Sequence, residues 1–238
     1  MFNCQSSPIH NSFDIEKLHP KHIDQVIHLV THTFCDSEPM ARYMKLDYKE
    51  FSPFAEYIIE KAAQEELSVV VREGDQIVAC AIVEDVTKQH PLDFELDPKF
   101  KPILALLNTL TTQFFTTKNF SPNLLAHLFI TSVEANYRGL GLSKKANFAA
   151  MQLAYDNNFQ FMYSELTNYL NEKGTIKYLQ HNKLLIGNIA YHKFEFEGKH
   201  PFKNLPGVAN AYLWELCEEA QLHFEENGKE RTVSIEQL

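Results

Sequence analysis

Cysteine, glycine and tryptophan are scarce in this chain of 238 residues, with four, eight and one copies. The cysteines, Cys4, Cys35, Cys80 and Cys217, form no C-x-x-C pair, which removes zinc knuckles and dithiol redox motifs. Such scattered thiols suit a reducing compartment. No run of Lys and Arg occurs, and 31 acidic against 22 basic residues leave a net charge of −9 with neutral histidines. Binding a phosphate backbone needs a basic footprint, so nucleic acid is not an expected partner. No apolar run approaches the ~20 residues of a membrane span. The first residues lack a basic start followed by an apolar core, so no signal peptide is read, no membrane partner is expected, and the expected location is cytoplasmic. Two common phosphate cradles are missing as well: there is neither G-x-x-x-x-G-K-[ST] nor G-x-G-x-x-G.

What the chain does contain is an ordinary globular composition, 45% hydrophobic and 22% charged, enough to build a core without staples. After a polar, loosely ordered start over 1–12, alternation predicts a strand over 13–18. Apolar residues at helical spacing predict helices over 22–34, stopped by Pro39, and over 48–67, with Pro53 in a first turn. Two β-branched runs around Gly74, 68–72 and 76–85, read as a hairpin. An insertion over 87–121 carries one helical stretch near 100–117. A buried strand over 124–133, a turn over 136–141 and a helix over 142–157 follow. A strand over 159–166, a helix over 171–182 and strands over 186–197 and 209–216 complete the pattern. The last of these also fits helical spacing through Leu213, Leu216, Ala220 and Phe224. The mixed order predicts one α/β domain over 13–216, with an acidic tail over 217–238.

The informative segment runs from Leu128 to Lys144: a buried strand, a glycine-containing turn and a helix start. The first turn of a helix leaves backbone N–H groups without partners, and the helix dipole adds partial positive charge there. Glycines allow positive φ and close approach of an anion, so the turn suits a pyrophosphate. Arg138 adds fixed charge, and Lys144 and Lys145 add more just inside the helix.

Arg138-Gly139-Leu140-Gly141-Leu142-Ser143 resembles the acyl-CoA signature of the GNAT N-acyltransferase superfamily, Q/R-x-x-G-x-G/A after an apolar strand. Ser143 departs from the final Gly or Ala. Downstream, Asn171 and Tyr178 keep the spacing of an N-x-x-A-x-x-x-Y helix, with Gly174 in place of Ala and no Gly-Phe after it. Upstream, Phe34 to Met40 is similar to the F-x-x-x-E-P-L/M segment of arylalkylamine-type members.

This resemblance implies a central, mostly antiparallel sheet with splayed middle strands, flanked by helices. It implies acetyl-CoA as co-substrate and no metal. The expected donor-binding residues are Thr131, Ser132, Val133, Arg138, Gly139, Leu140, Gly141, Leu142, Ser143 and Asn171, with an oxyanion donor near Ser132 or Val133. It implies Glu38 as the base that deprotonates an amine and Tyr178 as the acid that protonates the CoA thiolate. The expected acceptor is a small-molecule amine and the expected assembly a monomer or homodimer. Two other readings stay open: acylation of a protein lysine or N-terminus, and a CoA-binding domain without turnover.

Plain competitors stand beside these roles. Glu38 reads equally as a solvated loop residue, and Tyr178 as a packed helix tyrosine. Glu165 is a spare base candidate, although a strand carboxylate is more often solvent-facing. His28 and His32 lie four apart on a helix, but no third ligand accompanies them, so packed or solvated histidines are expected.

Overall fold

The computed structural model describes residues 13–88, 91–116, 124–178 and 183–216. The segments 1–12, 179–182 and 217–238, read above as a loose start, a helix end and an acidic tail, lie outside the described residues. Seven strands form one sheet in the order β1-β2-β3-β4-β5-β7-β6. They are β1 (Asp14–Lys17), β2 (Val69–Glu73), β3 (Gln76–Asp85), β4 (Leu125–Val133), β5 (Phe161–Leu166), β6 (Lys183–Ala190) and β7 (Val208–Glu215). Every neighbouring pair is antiparallel except β4 and β5, which are parallel. The helices are α1 (Ile23–Ser37), α2 (Pro39–Met44), α3 (Tyr48–Glu65), α4 (Lys101–Phe115), α5 (Leu142–Asp156) and α6 (Tyr169–Tyr178).

The expected mixed sheet and its helices are present, with instructive differences. The first helix runs past Phe34 to Ser37, and Pro39 opens a separate short helix instead of only ending the first. Proline is at home in a first turn, where its missing N–H costs nothing. The Glu38 side chain caps that turn by accepting the Ala41 N–H at 2.6 Å. Pro53 stands inside α3 and not in its first turn, because Asp47 caps the helix and sets its start. The Lys49 carbonyl is thereby left without its helical N–H. The strand expected over 186–197 begins at Lys183 and ends at Ala190 in a short 3-10 turn. The ambiguous last segment is strand β7, paired on both sides by β5 and β6. Pairing on both edges and burial on both faces override the helical spacing of its leucines.

Two layers cover the sheet. On one face α5 buries Leu142, Ala146, Ala150 and Ala154 against Val78, Ala81, Val83 and Leu128. On the other, α1, α3 and α4 share a core with Ile82, Cys80 and Val70. The central strand β3 is buried on both faces from Ile77 to Val83, as its unbroken apolar run requires. A chain of aromatic rings locks the insertion onto the older core. Phe34 stacks on Phe51 at 4.2 Å, and Phe100 at the head of α4 lies 4.6 Å from Phe54 and 5.3 Å from Phe51. Full burial of side chains such as Phe51 and Phe100 contributes on the order of 2 kcal/mol each.

At its far end, α4 presses directly on β6. A Cβ on Gly187 would stand 2.0 Å from the Leu110 carbonyl oxygen, which is backbone and has little room to yield. The site needs a glycine for close approach of two backbones. Gly187→Ala is expected to destabilise the fold by about 2–3 kcal/mol. Urea unfolding followed by far-UV circular dichroism measures this, and an unchanged midpoint would show that α4 does not dock as described.

Candidate functional site

The site begins with a failure of pairing. β4 and β5 are in register only at Leu125↔Phe161, Ala126↔Met162 and His127↔Tyr163. Beyond that point they part, so β4 from Leu128 to Val133 has no strand on that side. Near the apex β4 carries a bulge: Ile82 faces Ile130 and Val83 faces Leu128, which leaves Phe129 as an extra residue. At the open end Glu134 donates its N–H to the Val78 carbonyl at 2.9 Å. By the alternation of an antiparallel ladder, Ser132 also turns its N–H toward β3, while Thr131 and Val133 turn theirs to the gap. Of the two positions expected to offer an oxyanion donor, the ladder therefore leaves Val133.

The gap is a cleft of about 330 Å³. Glu38, Leu128 to Val133, Arg138, Ser143, Ser164 to Asn168, Asn171 and Trp214 are among its walls. A second space of about 250 Å³ adjoins it at the glycine turn, lined by Gly139, Gly141, Leu142 and Gly174. Val133, Arg138, Ser143, Leu170, Asn171 and Thr175 line both, so the two form one channel from the turn into the sheet.

Most of the residues expected at a donor site meet here. Gly139 and Gly141 have φ of +83° and +74°, the left-handed region that favours glycine, and a Cβ on either would meet nothing within 4 Å. Glycine is thus required at the turn by conformation, not by crowding. Gly141 caps α5, and the first-turn N–H groups of that helix face outward. The Leu142 side chain is buried and anchors the helix, so only its backbone can serve a ligand. Leu140 is half exposed. Thr131 donates to Asn147 at 2.6 Å, and the Ser132 hydroxyl accepts from Thr33 at 2.7 Å. A Cβ on Gly174 would also meet nothing within 4 Å, so the alanine usual at that position would fit.

Two further groups can be placed, and the second corrects an expectation. Lys144 and Lys145 do not line the channel; their ammonium groups lie 5.6 Å from the Phe148 ring and 5.5 Å from the Phe13 ring. These cation–π contacts draw both lysines away from the turn. Glu165 is not solvent-facing: its side chain is 6% exposed and receives His127 Nε2 at 2.7 Å. Of the remaining candidates, Tyr178 is the last residue of α6, and its side chain lies outside the described residues. His28 and His32 stack at 4.2 Å on α1, with Tyr48 4.0 Å beyond, and no group of three possible metal ligands occurs among the described residues.

Glu38 sits on the junction between α1 and α2, opposite the glycine turn. Its Oε2 accepts the Ala41 N–H, and its Oε1 is shut off from solvent without a partner. Burial raises its pKa to about 7, against hydrogen bonds from the Ala41 and Met40 N–H groups and the Thr167 side chain. Ser37, the residue before it, holds the mouth together. Its hydroxyl accepts from Arg138 at 2.8 Å, and its carbonyl accepts from Asn168 at 3.3 Å. Asn168 in turn caps α6 through the Leu170 N–H at 2.9 Å.

The apex of the cleft holds a charged group that the sequence reading did not find. His127 is pinned between carboxylates, Nδ1 at 2.8 Å from Glu84 and Nε2 at 2.7 Å from Glu165, with its ring flat on Tyr163 at 4.2 Å. Lys61 bonds Glu84 in turn. Burial alone would discharge His127, but the two carboxylates outweigh it and raise its pKa to about 9. Burial would likewise raise Glu84, yet His127 and Lys61 hold it down at about 2. His127, an ionisable residue in the mostly apolar first half of β4, was the sign of this group in the sequence.

These shifts set a pH dependence of stability. Glu38 has its pKa raised, so its contribution is complete below the unfolded value of 4.5 and is lost as pH rises to about 7. His127 follows the same sign from 6.5 to about 9, whereas the contribution of Glu84 is present above 4.5 and lost as pH falls to about 2. Glu38→Gln is therefore expected to gain on the order of 2–3 kcal/mol relative to the wild type between pH 4.5 and pH 8. Thermal melting of both proteins across that range checks it, and parallel curves would count against a buried Glu38 carboxylate.

No protein-family model matches this sequence, and no curated protein sequence does. Solved structures do. The C-terminal condensation domain of Ebony in complex with beta-alanyl-dopamine superimposes with a TM-score of 0.78 at 16% identity, over 86% of this chain and 99% of that one. Arylalkylamine N-acetyltransferase 2 from Aedes aegypti gives 0.73 at 19% identity, over 87% and 100%. An acetyltransferase of the GNAT family from Streptococcus pneumoniae gives 0.53 at 11% identity, over 86% and 99%. With its parted parallel pair and its glycine turn before α5, this chain has the fold of the GNAT N-acetyltransferases.

Proposed function

We propose that the protein transfers an acyl group, most simply acetyl, from coenzyme A to a small primary amine. The observation that carries this reading is the continuous channel from the positive-φ glycine turn into the gap between β4 and β5, with a carboxylate of raised pKa on its wall. A pyrophosphate fits the turn, where Arg138 and the first N–H groups of α5 face one small space. The pantetheine arm follows the free edge of β4, whose Thr131 and Val133 N–H groups lack strand partners. The thioester then lies deep in the cleft.

An amine reaches the cleft as an ammonium ion and must lose a proton to attack. Glu38, with a pKa of about 7, is poised to take it near neutral pH. The amine nitrogen bonds to the thioester carbon, the carbonyl oxygen is held by N–H groups of β4, and the C–S bond breaks. Tyr178 donates the proton that the departing thiolate takes up, and the second proton, shed by the nitrogen as the intermediate collapses, restores the tyrosine. No acyl-enzyme is needed, and burial lifts the Cys35 thiol to about 12, far from nucleophilic readiness. The insertion favours a small acceptor over a protein chain. Its helix α4 roofs a further chamber of about 170 Å³, walled by Phe54, Tyr57, Leu104, Leu107 and Phe129. Lys61, Glu84, Asn108, Thr111, His127 and Glu165 line the chamber as well, so it suits a tail that carries both apolar and polar groups.

Two measurements test the reading. Acetyl-CoA binding by calorimetry is expected in the wild type and lost when Arg138→Ala and Gly141→Glu are combined. Release of CoA with a panel of primary amines is expected to rise with pH through about 7 and to fall roughly 10²-fold or more in Glu38→Gln, with a sharp fall in Tyr178→Phe as well. Donor binding without CoA release over the whole panel would replace the enzyme by a CoA-binding domain.

A further inference from the structure

The apex group assigns a role to a carboxylate that the transfer chemistry above does not use. Glu165 is one of the residues that line both the cleft and the α4 chamber; Phe129 is another. One of its oxygens, Oε2, is taken by His127, and Glu165 makes no other bond among the described residues. A carboxylate whose side chain is 6% exposed on a cavity wall is screened less than one in open water, so a cation that reaches it there is held more strongly.

Ion pairs among the described residues set Glu165 in its surroundings. Three carboxylates, Glu65, Glu84 and Glu165, face two cations, Lys61 and His127. Lys61 lies between Glu65 and Glu84, and His127 is shared by Glu84 and Glu165. Burial raises the pKa of Glu65 and Lys88 acts on it as well, and Glu84 is held by both cations, so Glu165 is the member of the group that stands on the wall of the cleft. A proton relay through His127 is not the answer. The two carboxylates hold the His127 imidazole in its charged form, and His127 and Lys61 hold Glu84 in its ionised form, so the proton stays on the ring. The imidazole is a fixed cation that orients Glu165.

We propose that Glu165 is the anchor for the positive charge of the acceptor, an ammonium of a small organic amine, with His127 as its positioning residue. This rests on the transfer reading above. The two cleft carboxylates then divide the work: Glu165 binds the cation, and Glu38, whose pKa burial raises to about 7, takes the proton. Anionic and uncharged compounds of the same shape are discriminated against at the apex.

The test is made by calorimetry without any acyl donor, so it reads binding separately from turnover. The wild type is titrated with phenethylamine and with 2-phenylethanol, its uncharged isostere. The ammonium is expected to bind roughly ten- to a hundredfold more tightly. Glu165→Gln, which can still accept from His127, is expected to bind both alike, at the level of the alcohol. His127→Gln is expected to shrink the preference, whereas a merely structural role would weaken both ligands equally. Equal affinities in the wild type, no binding of the ammonium, or a preference that survives Glu165→Gln overturns the proposal. If Glu165→Gln does not fold, the wild-type comparison still decides, and Glu165→Asp replaces it. A clear ammonium preference with no acetylation of any amine would sink the transfer reading and leave the anchor standing.

Discussion

The site depends on the parting of β4 and β5 after three paired residues. A parallel pair carried to full length would satisfy its own N–H and C=O groups and leave no room between the strands. Stopping the pairing at His127 and Tyr163 exposes a strand edge inside the protein, where water is scarce and hydrogen-bonding groups are costly to leave idle. That edge can be completed by a ligand carrying amides, which the pantetheine arm of the proposed donor would supply. The gap also separates two side-chain rows, one from α1 and β4, the other from β5 and α6, that would otherwise be packed together.

What keeps the strands apart is a combination of geometry and charge. The bulge at Phe129 turns β4 just beyond the last paired residue, and bulges bend the strand that bears them. At the same level, the row Glu84, His127, Glu165 spans from β3 to β5. A buried row of this kind contributes little net stability compared with apolar packing, but it tolerates few alternative arrangements. Its value here is to hold the apex at one width while leaving the mouth to be shaped by loops.

Much of this architecture was legible in the residues. Alternation and apolar spacing gave the strands and helices to within a few positions, because most elements bury one well-defined face. The glycine turn was readable because positive φ at Gly139 and Gly141 restricts the residue type. Less was readable where long-range packing decides. Leu213 and Leu216 carry helical spacing, yet β5 and β6 enclose their segment and make it a strand. Lys144 and Lys145 looked like anion ligands until the rings of Phe148 and Phe13 were seen to claim them. Glu165 looked exposed because nothing near it in sequence announces His127, which is 38 positions away. Sequence separation hid the network, and the registers of β3 and β5 against β4 bring its members together.

Ser37 joins these parts in a simple way. Its hydroxyl holds Arg138 on the far side of the mouth and its carbonyl holds Asn168 on the α6 side, while its peptide bond leads into Glu38. The mouth is thus sprung from a single residue, one step along the backbone from the carboxylate inside. An anion that drew Arg138 toward the turn would loosen one of the two stays on that residue. The proposed donor and acceptor walls are therefore tied to one another through this single residue.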